Sequence, residues 1–232
     1  MKRLGFALFA VLLFGLPAPT ASAATIVLFD YGLNINGTMY TPADTLPGGV
    51  NSSAFDFSTG LGDLVVTHTS VGAEVFFVTL FVDHEIDESV NTFFNEFGDV
   101  SGTPGAGQRW EIDEPGFTFG DIYQNVLAGG QVLDQSNGVP STSPDDVSMA
   151  MSWNFLLVAG ETATASFRLS TTMPSATFYL LQRDPDSDQS LFLSGSASIR
   201  PDGEPPIPEP GTVILLLSGL GVIAIAKFRK SA

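Results

Sequence analysis

Between Val147 and Leu157 apolar and polar side chains alternate. Val147, Met149, Met151, Trp153, Phe155 and Leu157 hold the odd positions, and Ser148, Ser152 and Asn154 lie between them. A period of two marks a strand with one buried face. Ala159-Gly160 supplies a turn, after which Ala163, Ala165, Phe167 and Leu169 alternate with Thr162, Thr164, Ser166, Arg168 and Ser170. These two segments are expected to pair as an antiparallel hairpin. Leu191, Leu193, Ala197 and Ile199 predict a third strand, Thr177 to Gln182 a fourth, and Ile26 to Phe29 and Leu64 to Thr69 two more. Val75 to Val82 is apolar on both faces, so it belongs at the centre of a sheet.

Two stretches break the period. Val90, Phe93, Phe94 and Phe97 fall at helical spacing, with Ser89 as N-cap and Gly98 as stop. Ile122 to Ala128 follows Asp121 and ends at Gly129-Gly130. Both short helices are expected to lie as lids over the open ends of the sheets. Many short strands and turn signals such as Asn137-Gly138 and Pro47-Gly48-Gly49 predict an all-β sandwich of jelly-roll or Ig-like kind. The chain shows no internal repeat, which argues against a propeller or solenoid.

Charge narrows the partners. The chain carries 25 acidic against nine basic residues, and only Arg109, Arg168, Arg183 and Arg200 of those nine lie in the middle of the chain. Every lysine is near a terminus. Phosphate binding is dominated by Lys and Arg, so nucleic acid and anionic lipid headgroups are excluded as partners of the middle domain. There are no cysteines, so core packing, with bound cations as an option, must do the work of disulfides.

The two ends read as addresses. Lys2 and Arg3, the apolar run Leu4 to Leu16 and Ala21-Ser22-Ala23 form a secretory signal peptide, with cleavage after Ala23. At the other end, Pro208-Glu209-Pro210 precedes an uncharged apolar run, Gly211 to Ala226, and the basic Lys227-Phe228-Arg229-Lys230. The run makes about 24 Å of helix at roughly 1.5 Å per residue, the short end of what crosses a bilayer core. The basic cluster would stay cytoplasmic. Pro205, Pro206, Pro208 and Pro210 favour an extended backbone that a protease can bind. The competing reading is a plain tail anchor behind a Pro-rich spacer.

This tripartite tail resembles the PEP-CTERM signal of Gram-negative bacteria, which an exosortase, a membrane-embedded cysteine protease, reads. The resemblance implies export by the Sec translocon and signal peptidase, a transient inner-membrane intermediate, and then residence at the cell surface or outside the cell. The expected layout is a signal peptide (1–23), a β-sandwich domain (24–202), a stalk with the motif (203–210), a transmembrane helix (211–226) and a basic tail (227–232). Ser143-Pro144-Asp145-Asp146-Val147-Ser148-Met149-Ala150-Met151-Ser152-Trp153-Asn154-Phe155, followed by Ala159-Gly160-Glu161-Thr162-Ala163-Thr164, also looks like a segment common in PEP-CTERM extracellular domains. Phe81 to Ile86 and Trp110 to Gly116 have the same character. That likeness implies a sandwich and brings no catalytic residues.

Candidate chemistry rests on carboxylates. Asp184, Asp186 and Asp188 form a D-x-D-x-D loop, and alternating carboxylates in a turn can converge on one Ca²⁺. It is not an EF-hand, because Gln189 and Gly195 stand where Gly and a bidentate Glu are required. Asp83 and Glu85, with Asp87 and Glu88, close the central strand, and Asp145-Asp146 open the Trp153 strand. If strand ends from both sheets meet at one rim, these loops would assemble a calcium site. Solvated loop carboxylates are the plainer alternative.

Catalysis has little to work with. His68 and His84 are the only imidazoles, and G-x-S-x-G and H-E-x-x-H are both missing. His84, between Asp83 and Glu85, reads as a metal ligand, a general base or a structural histidine, the last being usual for a lone His at a strand end. A glycosidase carboxylate pair cannot be selected among so many acids. Trp110, beside Glu111, Asp113 and Glu114, is the surface aromatic most suited to stack on a sugar, unless it folds onto the core. The expected role is non-enzymatic, structural or adhesive, in an exopolysaccharide setting. The alternatives are a calcium-dependent carbohydrate-binding module and a carboxylate glycosidase.

Overall fold

The computed structural model describes residues 25–87, 93–116 and 118–201. The expected signal peptide, stalk, transmembrane helix and basic tail lie outside them. Among the described residues no helix is long and apolar enough to cross a membrane. The strands are β1 (Ile26–Ile35), β2 (Thr38–Tyr40), β3 (Val50–Asp56), β4 (Leu61–Thr69), β5 (Glu74–Ile86), β6 (Phe97–Gly102), β7 (Gln108–Asp113), β8 (Ser148–Leu157), β9 (Thr162–Ser170), β10 (Phe178–Asp184) and β11 (Gln189–Arg200). Among the described residues one helix, α1 (Ile122–Ala128), and a 3-10 turn at Phe93–Asn95 accompany them.

The strands form two antiparallel sheets, ordered β2-β1-β5-β8-β7 and β3-β4-β9-β11-β10-β6. The architecture is that of a sandwich, and β5 holds the central place its two apolar faces predict. Inward residues of both sheets build one core, with Leu33, Val78, Leu80, Met149, Phe167, Leu180 and Leu193 fully enclosed. Trp110 of the first sheet meets Phe178 of the second, their ring centroids 6.3 Å apart.

The predicted hairpin of β8 with β9 does not form. β8 pairs with β5 and β7, whereas β9 pairs with β4 and β11. Ala159-Gly160 carries the chain from one sheet to the other, with Gly160 at φ +82°. Two facing strands bury their odd residues against each other, so alternation alone cannot distinguish them from hydrogen-bonded neighbours.

The even positions in the first half of β8, Ser148, Ala150 and Ser152, are buried as well. α1 lies on the outer face of the first sheet, where Ile122, Val126 and Leu133 cover Phe81 and Ala150 in a second small core. Burying each large side chain there contributes about 1.5–3 kcal/mol. Asn34 of β1 fixes the helix end by donating its side-chain amide to the Val126 and Leu127 carbonyls at 2.7 and 3.2 Å. The helix is therefore a covering for a sheet face, not a lid over the sandwich end. The other predicted helix is corrected more sharply. Only Phe93–Asn95 makes a helical turn, and Phe97–Gly102 is the strand β6 paired with β10. Residues 88–92, where that helix was to begin, lie outside the described residues.

β11 outruns its neighbour β10, whose last partner toward the C-terminal end is Ser194. From Gly195 to Arg200 it pairs with β9 alone, and Ile199 is 43 % exposed.

Candidate functional site

Four strand ends meet at one rim of the sandwich: the end of β5, the start of β6, the start of β8 and the end of β10. Gln182 of β10 ties the sheets together there, donating its amide to the His84 carbonyl at 2.8 Å and to the Glu96 carboxylate. The Asp145 N–H donates to the Glu96 carbonyl at 3.0 Å and draws the β8 lead-in against the start of β6. Asp83 stands opposite Ser148 of β8 and Asp30 of β1 in the strand register.

The result is a ring of carboxylates inside the protein. Asp83 and Glu96 are 1 % and 0 % exposed. Burial pushes Asp83 up to about 8, helped by the charges of Asp146, Glu85 and Asp30 and opposed by the Ser148 hydroxyl. Burial likewise pushes Glu96 up to about 9, against the Gln182 hydrogen bond and with the charges of Glu85, Asp146 and Asp184. Asp146 rises to about 6, through burial and then the charges of Asp145 and Glu114. Asp146 also lines an open cavity of about 270 Å³ together with Asp145, Glu114, Phe94 and Phe119.

The D-x-D-x-D loop does not converge. Asp184 accepts the Asp186 and Ser187 N–H groups and the Ser187 hydroxyl, closing its own turn. Asp186 accepts from the Asn95 amide at 2.6 Å, and Asp188 pairs with Arg183. Three carboxylates thus take three separate partners, and only Asp184 is close enough to the ring for its charge to act on Glu96. His84 is fully enclosed, and burial holds its imidazole down at about 3, so it stays neutral. His68 stacks on Phe76 at 4.3 Å and meets Glu74 at 2.8 Å.

Trp110 is also corrected. It faces inward on β7 and is 9 % exposed against Phe178, so its ring has no free face for a sugar. Its neighbours Glu111 and Asp113 point the other way, toward α1. Their carboxylate oxygens and that of Asp121 lie within 4.8 Å of one another. The trio is largely occupied: Glu111 accepts from Asn125 at 3.0 and 3.1 Å and from the Asp134 N–H, and Asp113 accepts the Asp121 N–H at 2.9 Å.

Exposed aromatics occur elsewhere, at a site the sequence pattern did not single out. A cleft of about 550 Å³ between β1 and the β2–β3 connection is lined by Phe29, Asp30, Tyr31, Asp44, Ser52 and Phe57 among others. Phe29 is 62 % and Phe57 41 % exposed. Phe57 is propped by Tyr31 at 5.3 Å and by Phe55, edge-on at 4.9 Å. Asp44 accepts the Thr41 N–H and hydroxyl, both at 2.9 Å, and these bonds hold its carboxyl below the usual range. A second cleft of about 570 Å³, near Val75, Leu156 and Ile199, offers neither a carboxylate nor an exposed aromatic face.

Residues 206–230 match the PEP-CTERM protein-sorting motif. The motif implies exosortase-dependent export to the cell surface, with exosortase as the processing partner. No curated protein and no solved structure matches the chain.

Proposed function

We propose that the exported domain is a non-enzymatic adhesive module that holds a neutral exopolysaccharide in the Phe29–Phe57 cleft. The observation that carries this reading is the pairing of two exposed aromatic faces with the carboxylates of Asp30 and Asp44 and the Ser52 hydroxyl in one concave site. Sugar rings present C–H faces that stack on aromatics and hydroxyls that donate to carboxylates. The acidic composition disfavours a uronate-rich chain and leaves a neutral one. Asp44, depressed by its Thr41 bonds, is a fixed acceptor rather than the proton donor that glycoside hydrolysis needs.

On this reading the Sec translocon and signal peptidase deliver the chain, with cleavage after Ala23. The segment 211–226 holds it in the inner membrane of a Gram-negative cell until exosortase acts at Pro208-Glu209-Pro210. The domain then works in the extracellular matrix as a sandwich of jelly-roll or Ig-like kind. Affinity electrophoresis of the full-length chain through neutral polysaccharides tests the ligand. Retardation by at least one neutral glucan, mannan or galactan is expected. The double variant Phe29→Ala, Phe57→Ala should lose it at least tenfold with little change in melting temperature, since both rings are partly exposed. Equal retardation of variant and wild type, or no retardation of either, would reject the cleft.

A further inference from the structure

We propose that the end of the sandwich opposite the acidic rim is a membrane-contacting tip, which rests on the bilayer surface while the C-terminal tail is still in place. The proposal rests on the reading of 211–226 as the membrane anchor and is separate from the glycan cleft. β5 and β8 run between the two ends, with Asp83 and Ser148 paired near the rim and Glu74 and Leu157 paired at the tip. Strand register brings five strand ends together there. β4 ends at Thr69 and β11 at Arg200, both opposite Thr162 at the start of β9, beside the start of β5 and the end of β8. The Ser70 N–H donates to the Glu161 carbonyl and the Gly160 N–H to the Ser70 carbonyl, both at 2.9 Å, which ties the β4–β5 and β8–β9 connections to each other.

What this tip exposes is aliphatic. Val71 is 97 % and Leu156 79 % exposed, and Val75, Val158 and Ile199 are exposed beside them. Val75 and Leu156 are direct cross-strand partners, so their side chains form one surface. Single exposed apolar residues need no explanation, but a group gathered at one end marks a contact site. The two carboxylates nearby are engaged, Glu74 with His68 at 2.8 Å and Glu161 with the Val158 N–H at 2.9 Å. By contrast the exposed Phe94 and Phe119 of the rim lie among Glu114, Asp145 and Asp146. The order of the chain names the occupant. β11, the last described strand, ends at the tip, and residues 201–210 can span at most about 35 Å before the apolar run 211–226 begins. The tip is therefore the part of the domain that the anchor brings to the bilayer. Its contact is with the apolar boundary of the lipid interface, where aliphatic side chains leave water, and not with charged headgroups, which an acidic domain does not attract. So small a patch does not hold a membrane unaided. The anchor supplies the high local concentration at which the contact forms.

Held tip-down, the domain turns its rim and the Phe29 end of β1, in register with Asp83 and His84, away from the bilayer. The chain has no cysteine, so single cysteines can carry a polarity-sensitive fluorophore without interference. Full-length Val71→Cys, Val158→Cys and, at the rim, Asp188→Cys are labelled and reconstituted in phosphatidylcholine vesicles, with and without lipid nitroxides at headgroup depth. Flotation with the vesicles reports the anchor, and the label reports the tip. A blue shift and a loss of emission to the nitroxide are expected at positions 71 and 158 and neither at 188. Leu156→Asp should abolish the quenching at both tip positions and leave flotation intact. Flotation without quenching at the tip overturns the proposal, and so does equal quenching at tip and rim. A blue shift that ignores the nitroxide would assign the tip to a second copy of the chain and overturn it as well. Failure of the chain to float would instead remove the anchor, and the membrane contact with it.

Discussion

Gly60 holds φ at +66°, and a Cβ placed there would run into Nε2 of the buried His84. Gly60→Ala therefore meets a left-handed backbone and an enclosed ring together, and a loss of about 3 kcal/mol is expected in urea unfolding. A loss below 1 kcal/mol would mean that the ring moves aside freely. Glu111 offers a second residue-level test. Burial raises its carboxyl from 4.5 to about 7, against its Asn125 and Asp134 bonds and with the charges of Asp134 and Asp121. Below about pH 4.5 it is protonated whether folded or unfolded. Between there and pH 7 the unfolded chain ionises first, so unfolding releases a proton and stability falls as pH rises. Above pH 7 the full penalty, about 3 kcal/mol, is present. Glu111→Gln should flatten the wild-type decline between pH 5 and 7 by about that amount. Superimposable pH–stability profiles for the two proteins would refute the assignment.

At the level of elements, α1 is too short to persist alone and is held by what it covers. Ile122→Ala opens a hole over Phe81 and Ala150, and a cost of about 2–5 kcal/mol is expected in chemical denaturation. An effect near zero would show that the helix contributes nothing to the packing of that face. The same element marks what could be read in advance. Its limits were legible from Ile122 to Ala128 because Asp121 and Gly129-Gly130 bracket an apolar pair. Its seat was not, since β8 and β5 were read with one buried face or as generically central. β7 escaped notice because Arg109, Glu111 and Asp113 look like a solvated edge, yet Glu111 is buried under α1. Phe93, Phe94 and Phe97 fit a helix by spacing, but pairing of Phe97 with Arg183 in the sheet outweighed that local pattern. For the rim, Asp83, Glu85 and Asp146 stood out as clustered acids at strand ends. Glu96 stands alone between Asn95 and Phe97 and Gln182 is itself uncharged, so neither carries such a mark, and only the sheet order brings them to the others.

For the whole molecule, the sorting motif implies that the tail is a processing substrate. The intact mass of the mature chain from cells with a working exosortase should lack Lys230, and Glu209→Ala should retain it. A wild-type mass that includes Lys230 would make the segment a plain anchor. The placement of β11 carries a mechanical consequence. The last described strand, β11, is matched to β9 from Phe192 to Arg200, and beyond Ser194 β9 is its one partner. Antiparallel ladder bonds lie across the strand axis, so a tug on the C-terminal end loads that whole row in shear rather than unzipping it one rung at a time. A load applied at Arg200 would therefore be carried by the β9–β11 row of bonds together.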